Sequence, residues 1–98
     1  DIILVSAGFD PHWHDLALNV SYEGFGALTG FMQQLAEQHC EGRLVFVLEG
    51  GYNLESLANG TRAVLAVLAG NTVPVPDTCG IAEVQAAADF HRTAFQSE

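Results

Sequence analysis

Leu44-Val45-Phe46-Val47-Leu48-Glu49-Gly50-Gly51-Tyr52-Asn53 is the stretch that decides the fold. Its apolar run, broken at once by an acidic residue and two glycines, has the pattern of a strand buried on both faces of a parallel sheet. Ile2-Ile3-Leu4-Val5-Ser6 is a second such run and stops at Ala7-Gly8, so a first strand ends near Ser6 or Ala7. Between the runs, Ser21 is placed to cap a helix with an acidic first turn, and Phe25, Leu28, Met32, Leu35, Ala36 and His39 recur at spacings of three and four. That amphipathic helix should end between positions 40 and 42, where Gly42 supplies a cap. Strand, helix, strand is a parallel crossover unit.

Beyond the glycine turn, Asn53 can cap a second helix whose apolar positions are Leu54, Leu57, Thr61, Val64, Leu65 and Leu68, closed by Gly70-Asn71. Residues 71–80 carry Pro74 and Pro76 and read as a linker. Ile81, Val84, Ala88 and His91 or Phe95 then suggest a final, weaker helix. The chain divides accordingly into residues 1–70, an α/β unit, and residues 71–98, a linker with a C-terminal helix or tail.

Composition narrows the function classes. Of 98 residues, 49% are hydrophobic and 15% charged, a core-forming balance and not that of a disordered chain. Twelve acidic residues against three arginines give a net charge of -9, which leaves no basic surface to neutralise phosphates or an anionic membrane. Nucleic acid and membranes are therefore not expected partners. The apolar stretches fall far short of the roughly 20 residues of a membrane span, and no secretory signal is visible, so a cytoplasmic protein is expected. Because the chain opens in mid-strand without an initiator Met, its natural N-terminus is expected to lie upstream. Cys40 and Cys79 lack a Cys-x-x-Cys spacing and read as free thiols.

Candidate chemistry sits after the strands. In open α/β sheets the ligand crevice lies outside the strand carboxyl ends, which makes the two irregular loops expected neighbours in space. One offers Asp10, His12, His14 and Asp15; the other offers Gly50, Gly51 and Tyr52. A carboxylate-imidazole set facing a glycine turn that presents a phenol suits metal-assisted chemistry on a carbonyl. Each member also has a plainer reading. Asp10 could cap the loop backbone, and His12 and His14 could be solvent-facing, their rings pointing oppositely if the segment is extended. Gly50-Gly51 could be a structural turn, Tyr52 a packing aromatic, and Trp13 either a channel wall or loop packing.

Ser6-Ala7-Gly8-Phe9-Asp10, then Asp15, and then Leu48-Glu49-Gly50-Gly51-Tyr52-Asn53-Leu54 resemble the C-terminal part of the histone deacetylase family. The similarity is greatest to its bacterial and class II-like branch, with the acetoin-utilisation proteins and acetylpolyamine amidohydrolases. It spans residues 1–70, with both motifs in order. The resemblance implies a parallel-sheet, three-layer arginase/deacetylase-type α/β fold, here as a C-terminal βαβα portion plus a tail. It implies a zinc-dependent hydrolase that removes an acyl group from an amine, acting on acetylated lysine in protein or on an acetylated small amine. Asp10 then corresponds to one of three zinc ligands, Tyr52 to the catalytic donor that hydrogen-bonds the substrate carbonyl and stabilises the oxyanion, and Gly50 and Gly51 to the wall of the acyl-lysine channel.

The departures matter as much. After Asp15 the family usually continues with Pro-Leu and a small residue, whereas this chain reads Leu16-Ala17-Leu18-Asn19. The family's other two zinc ligands and its tandem His pair have no counterpart; His12 and His14 are not adjacent and follow the ligand motif. With one ligand and one oxyanion donor the chain alone is expected to be inactive, and its strand edges and helix faces exposed and prone to aggregation. Two other readings remain open: a non-catalytic deacetylase-like binding module, and a different metal-dependent α/β amidohydrolase.

Overall fold

The two apolar runs pair with each other. In the computed structural model, which describes residues 1–16, 18–72 and 82–96, they form strands β1 (Ile3–Ala7) and β2 (Leu44–Leu48) of a parallel two-stranded sheet, with Ile3 opposite Leu44 and Ala7 opposite Leu48. Helix α1 (Tyr22–Cys40) makes the crossover, α2 (Leu54–Leu68) follows β2, and α3 (Ala82–Gln96) stands last. Among the described residues no helix is long and apolar enough to cross a membrane. The linker prolines Pro74 and Pro76, Cys79 and Ile81 lie outside the described residues; Cys40 is a buried free thiol.

Local chemistry sets the helix ends. The Ser21 hydroxyl accepts the Gly24 N–H at 3.0 Å, and the Asn53 side chain accepts both the Glu55 and Ser56 N–H groups at 3.0 Å, satisfying donors that have no partner within the first turn. At the other end of α1 it is Glu41, not Gly42, that first turns left-handed, and the Gly42 N–H reaches back to the Ala36 carbonyl.

The packed faces differ from those the apolar spacing indicates. In α1 the buried residues are Phe25, Gly26, Thr29, Ala36 and Cys40, while Leu28 is 55% exposed. In α2 they are Ser56, Gly60, Val64 and Val67, while Leu54 and Leu65 face out. Small residues win these positions because something large must fit against them. Phe9, two residues after β1, lays its ring on Gly60 and meets Phe25 edge-on at 5.1 Å; with Val64 they form the core, and Val20, Tyr22, Phe46 and Leu57 pack around it.

A methyl group on Gly60 would overlap the Phe9 ring, whereas one on Gly30 of α1 would meet its nearest atom, on Val67, at 3.9 Å. Overpacking a core costs about 1–3 kcal/mol, against the about 1 kcal/mol by which alanine exceeds glycine as a helix former. Gly60→Ala in the complete protein is therefore expected to lower stability by up to about 2 kcal/mol, and Gly30→Ala to raise it by up to about 1 kcal/mol. Denaturant melts of the two variants test this, and equal shifts would contradict the packing described.

The strands are not covered on both faces by the described residues. Ile3, Val5 and Ala7 are half-buried under the helices, while Leu4 is 68% exposed and Val45 and Val47 are open as well. Among the described residues α1 and α2 pack against each other, and none of α3 is buried. The exposed apolar faces anticipated from the sequence are present.

Candidate functional site

Phe9 ties the two loops together. Its N–H donates to the Gly50 carbonyl at 3.2 Å, prolonging the strand pairing by one bond beyond the sheet, after the Glu49 N–H has donated to Ala7 at 2.9 Å. This places Asp10 against the glycine turn. A Cβ on Gly8 would come within 2.8 Å of the Asp10 Oδ1 atom, and one on Gly50 within 3.2–3.4 Å of the carboxylate. Gly50 and Gly51 have φ of 94° and 117°, a backbone that side chains rarely adopt, and Gly51 lies against Phe9 and Leu57. The turn is therefore structural, and it also brings bare backbone to the Asp10 carboxylate.

That carboxylate accepts no hydrogen bond among the described residues. The loop is organised instead by backbone bonds, Leu16 N–H to Asp10 carbonyl at 3.1 Å and Asp15 N–H to His12 carbonyl at 2.9 Å, so the capping alternative for the Asp10 side chain is not what the structure shows. A carboxylate in a cradle of glycines with both oxygens uncommitted fits the donor chemistry of a divalent metal. Among the described residues no three His, Cys, Asp or Glu side chains gather as a metal-binding group. The described residues thus bring one uncommitted carboxylate, that of Asp10, to the glycine turn.

The histidines are not solvent-facing. The segment after Asp10 is turned, not extended, so the two rings come to 5.1 Å of each other instead of pointing apart. His12 is 1% exposed and stacks on Tyr22 at 4.2 Å, and its Nδ1 accepts the His14 N–H. Trp13 is largely exposed and rests on the His14 ring. The His14 Nδ1 atom and the Tyr22 hydroxyl are buried without a partner among the described residues.

Asp15 does the most to order the second loop. Its Oδ2 accepts the Tyr52 N–H at 2.6 Å and the Asn53 N–H at 2.8 Å; the buried Ser56 hydroxyl lies 3.5 Å away and 3.1 Å from the Asn53 carbonyl. The Asn53 N–H holds the Asp15 carboxyl below its ordinary value. Loss of hydration pushes the other way, and the Tyr52 N–H, the Ser56 hydroxyl and His12 add to the lowering. A carboxyl lowered by folding lends stability above its unfolded pKa, lost as pH falls through the folded value, so at neutral pH this tether is fully charged. Tyr52 itself is 75% exposed, and its hydroxyl has no hydrogen bond among the described residues. Sequence patterning reaches Asp10, Gly50, Gly51 and Tyr52 but misses Phe9 and Ser56 as the residues that assemble them. An aromatic directly before the loop aspartate was the available signal for Phe9.

A model of the histone deacetylase domain matches residues 1–68. Histone deacetylase 14, chloroplastic, of Arabidopsis thaliana is 44% identical over 72 residues, covering 71% of this chain and 17% of that protein. A probable deacetylase of Archaeoglobus fulgidus is 39% identical over 71 residues, covering 69% of this chain and 20% of that protein. Among solved structures, the HDA15 HD domain superposes with a TM-score of 0.68 at 33% identity, over 90% of this chain and 24% of that one. The histone deacetylase Clr3 gives 0.72 at 27% identity, over 92% of this chain and 15% of that one. The chain thus spans a fifth or less of the length of the two protein relatives.

Proposed function

This chain belongs to the histone deacetylase family, with that family's α/β fold, and we propose from that membership that it forms the C-terminal part of the catalytic domain of a zinc-dependent deacetylase. The reaction is hydrolysis of an acyl-amine bond: water adds to the amide carbonyl, the carbon-nitrogen bond breaks, and acetate and a free amine leave. The observation that carries the reading is the convergence of the two loops, with the uncommitted Asp10 carboxylate against Gly50 and the Tyr52 backbone tied to Asp15.

In this reading Asp10 is one metal ligand, and bound zinc would polarise the carbonyl and acidify a water. The Tyr52 hydroxyl donates to the carbonyl oxygen and holds the charge that grows there as the carbon becomes tetrahedral. Gly50 and Gly51 line the channel for the acyl-lysine chain. Neither His12, sealed against Tyr22, nor any other group assigned here acts as the base, so the chain by itself is proposed to be inactive. The substrate class is an acetylated lysine in protein or an acetylated small amine, and the net charge of -9 favours cationic molecules of either kind.

The test is acetate release by the complete protein from an acetyl-lysine peptide and from an acetylated polyamine. Release is expected to stop on chelation and return with zinc. A metal-replete protein that binds the acetyl-lysine peptide but releases nothing would establish a binding module instead.

A further inference from the structure

We infer that Asp15 is a positioning residue for Tyr52: its carboxylate, by holding the Tyr52 and Asn53 N–H groups, sets where the tyrosine hydroxyl sits over the reacting carbonyl. This rests on the assignment of Tyr52 as the oxyanion donor. The argument starts from how little else holds Tyr52. The residue is 75% exposed and its hydroxyl unpartnered among the described residues, and the glycine before it contributes no side chain to anchor the turn. What is fixed is its backbone. Asp15 Oδ2 grips that backbone at 2.6 Å and the next residue at 2.8 Å, bonds of charge-assisted length.

The second residue gripped, Asn53, is the cap of α2, so one carboxylate oxygen joins Tyr52 to the start of a rigid helix. Asp15 is held in turn by its own N–H donated to the His12 carbonyl, and His12 is buried against Tyr22 at the start of α1. A chain of contacts therefore runs from α1 through His12 and Asp15 to Tyr52. An oxyanion donor works only within about 2.7–3.1 Å of the developing charge, and a misplacement of about 1 Å can cost on the order of a hundredfold. A tether on the Tyr52 backbone is the place where such a displacement would arise.

The experiment is a double-mutant cycle in the complete, zinc-loaded protein, reading kcat, KM, zinc content and melting temperature. Asp15→Asn, nearly isosteric but uncharged, is expected to lower kcat by roughly threefold to tenfold, and Asp15→Ala by tens of fold, with KM within about twofold and zinc unchanged. Neither loss should exceed that of Tyr52→Phe. In the Tyr52→Phe background both Asp15 substitutions should cost less than about twofold, because the hydroxyl they displace is already gone. An Asp15 effect of the same size in both backgrounds overturns the inference and leaves the role of Tyr52 standing. An Asp15→Ala that unfolds beside a fully active Asp15→Asn assigns Asp15 to folding alone and overturns it too. Full turnover by Tyr52→Phe by itself refutes the oxyanion assignment, and the inference falls with it.

Discussion

Asp10→Ala in the complete protein is expected to lose its zinc and with it all measurable deacetylation. Catalytic zinc is held by three protein ligands, and removal even of an outer-shell partner costs about 10–100-fold in affinity, so loss of a ligand should exceed a hundredfold. The structure sharpens this expectation by removing the competing role. Had the Asp10 side chain capped the loop, alanine would act through loop stability. Here the loop closes on backbone bonds, through the carbonyl of Asp10 and not its carboxylate. Asp10→Ala should therefore leave the fold in place while emptying the metal site. Elemental analysis of purified protein, alongside its melting curve, measures both. A variant that retains a full zinc equivalent would strike Asp10 from the ligands. Asp10→Asn, which keeps the shape inside the glycine cradle but not the charge, should fall between the two.

Tyr52→Phe should lower turnover by about a hundredfold or more with zinc retained, the loss typical of removing one donor aimed at an oxyanion, about 2.7–4 kcal/mol. The exposure of Tyr52 makes this a clean measurement. Its hydroxyl is bonded to nothing among the described residues, so deleting the oxygen removes no hydrogen bond that they make, and a rate lost with the melting temperature unchanged reads on the chemical step. KM for an acetyl-lysine peptide should move little, since the bond strengthens as charge develops. Turnover equal to the unsubstituted enzyme would reject Tyr52 as the donor. Under the proposed assignment the two substitutions would separate the two loops, metal retention for the first and rate without metal loss for the second.

Much of this site was legible along the chain because the chemistry is concentrated in short loops at strand ends. Asp10 and Tyr52 each follow an apolar run whose end is marked by glycine, and the structure brings both loops together there. The caps were equally plain, since Ser21 and Asn53 bond to N–H groups two or three residues on. The histidines were misjudged for the reason that the caps were not. Where the rings of His12 and His14 point depends on the turn made by the residues around them and on Tyr22, ten positions after His12, which supplies the surface for stacking. The helix faces were misjudged because apolar periodicity counts large residues. Leu28, Leu54 and Leu65 follow the pattern yet face out, while Thr29, Ser56 and Gly60 are buried.

What the sequence by itself determined is what near neighbours decide: the strand-helix-strand-helix order, the helix starts, the glycine turn, and the two motifs that mark a histone deacetylase. What only the tertiary structure decided is which side chains meet. Asp15 and Tyr52 are 37 residues apart and joined at 2.6 Å, and Phe9 and Gly60 meet across the core. No local rule encodes either pair. Crossover geometry brings two loops to one end of the sheet, and only there does a carboxylate find two backbone donors, or an aromatic ring the one position of α2 without a Cβ.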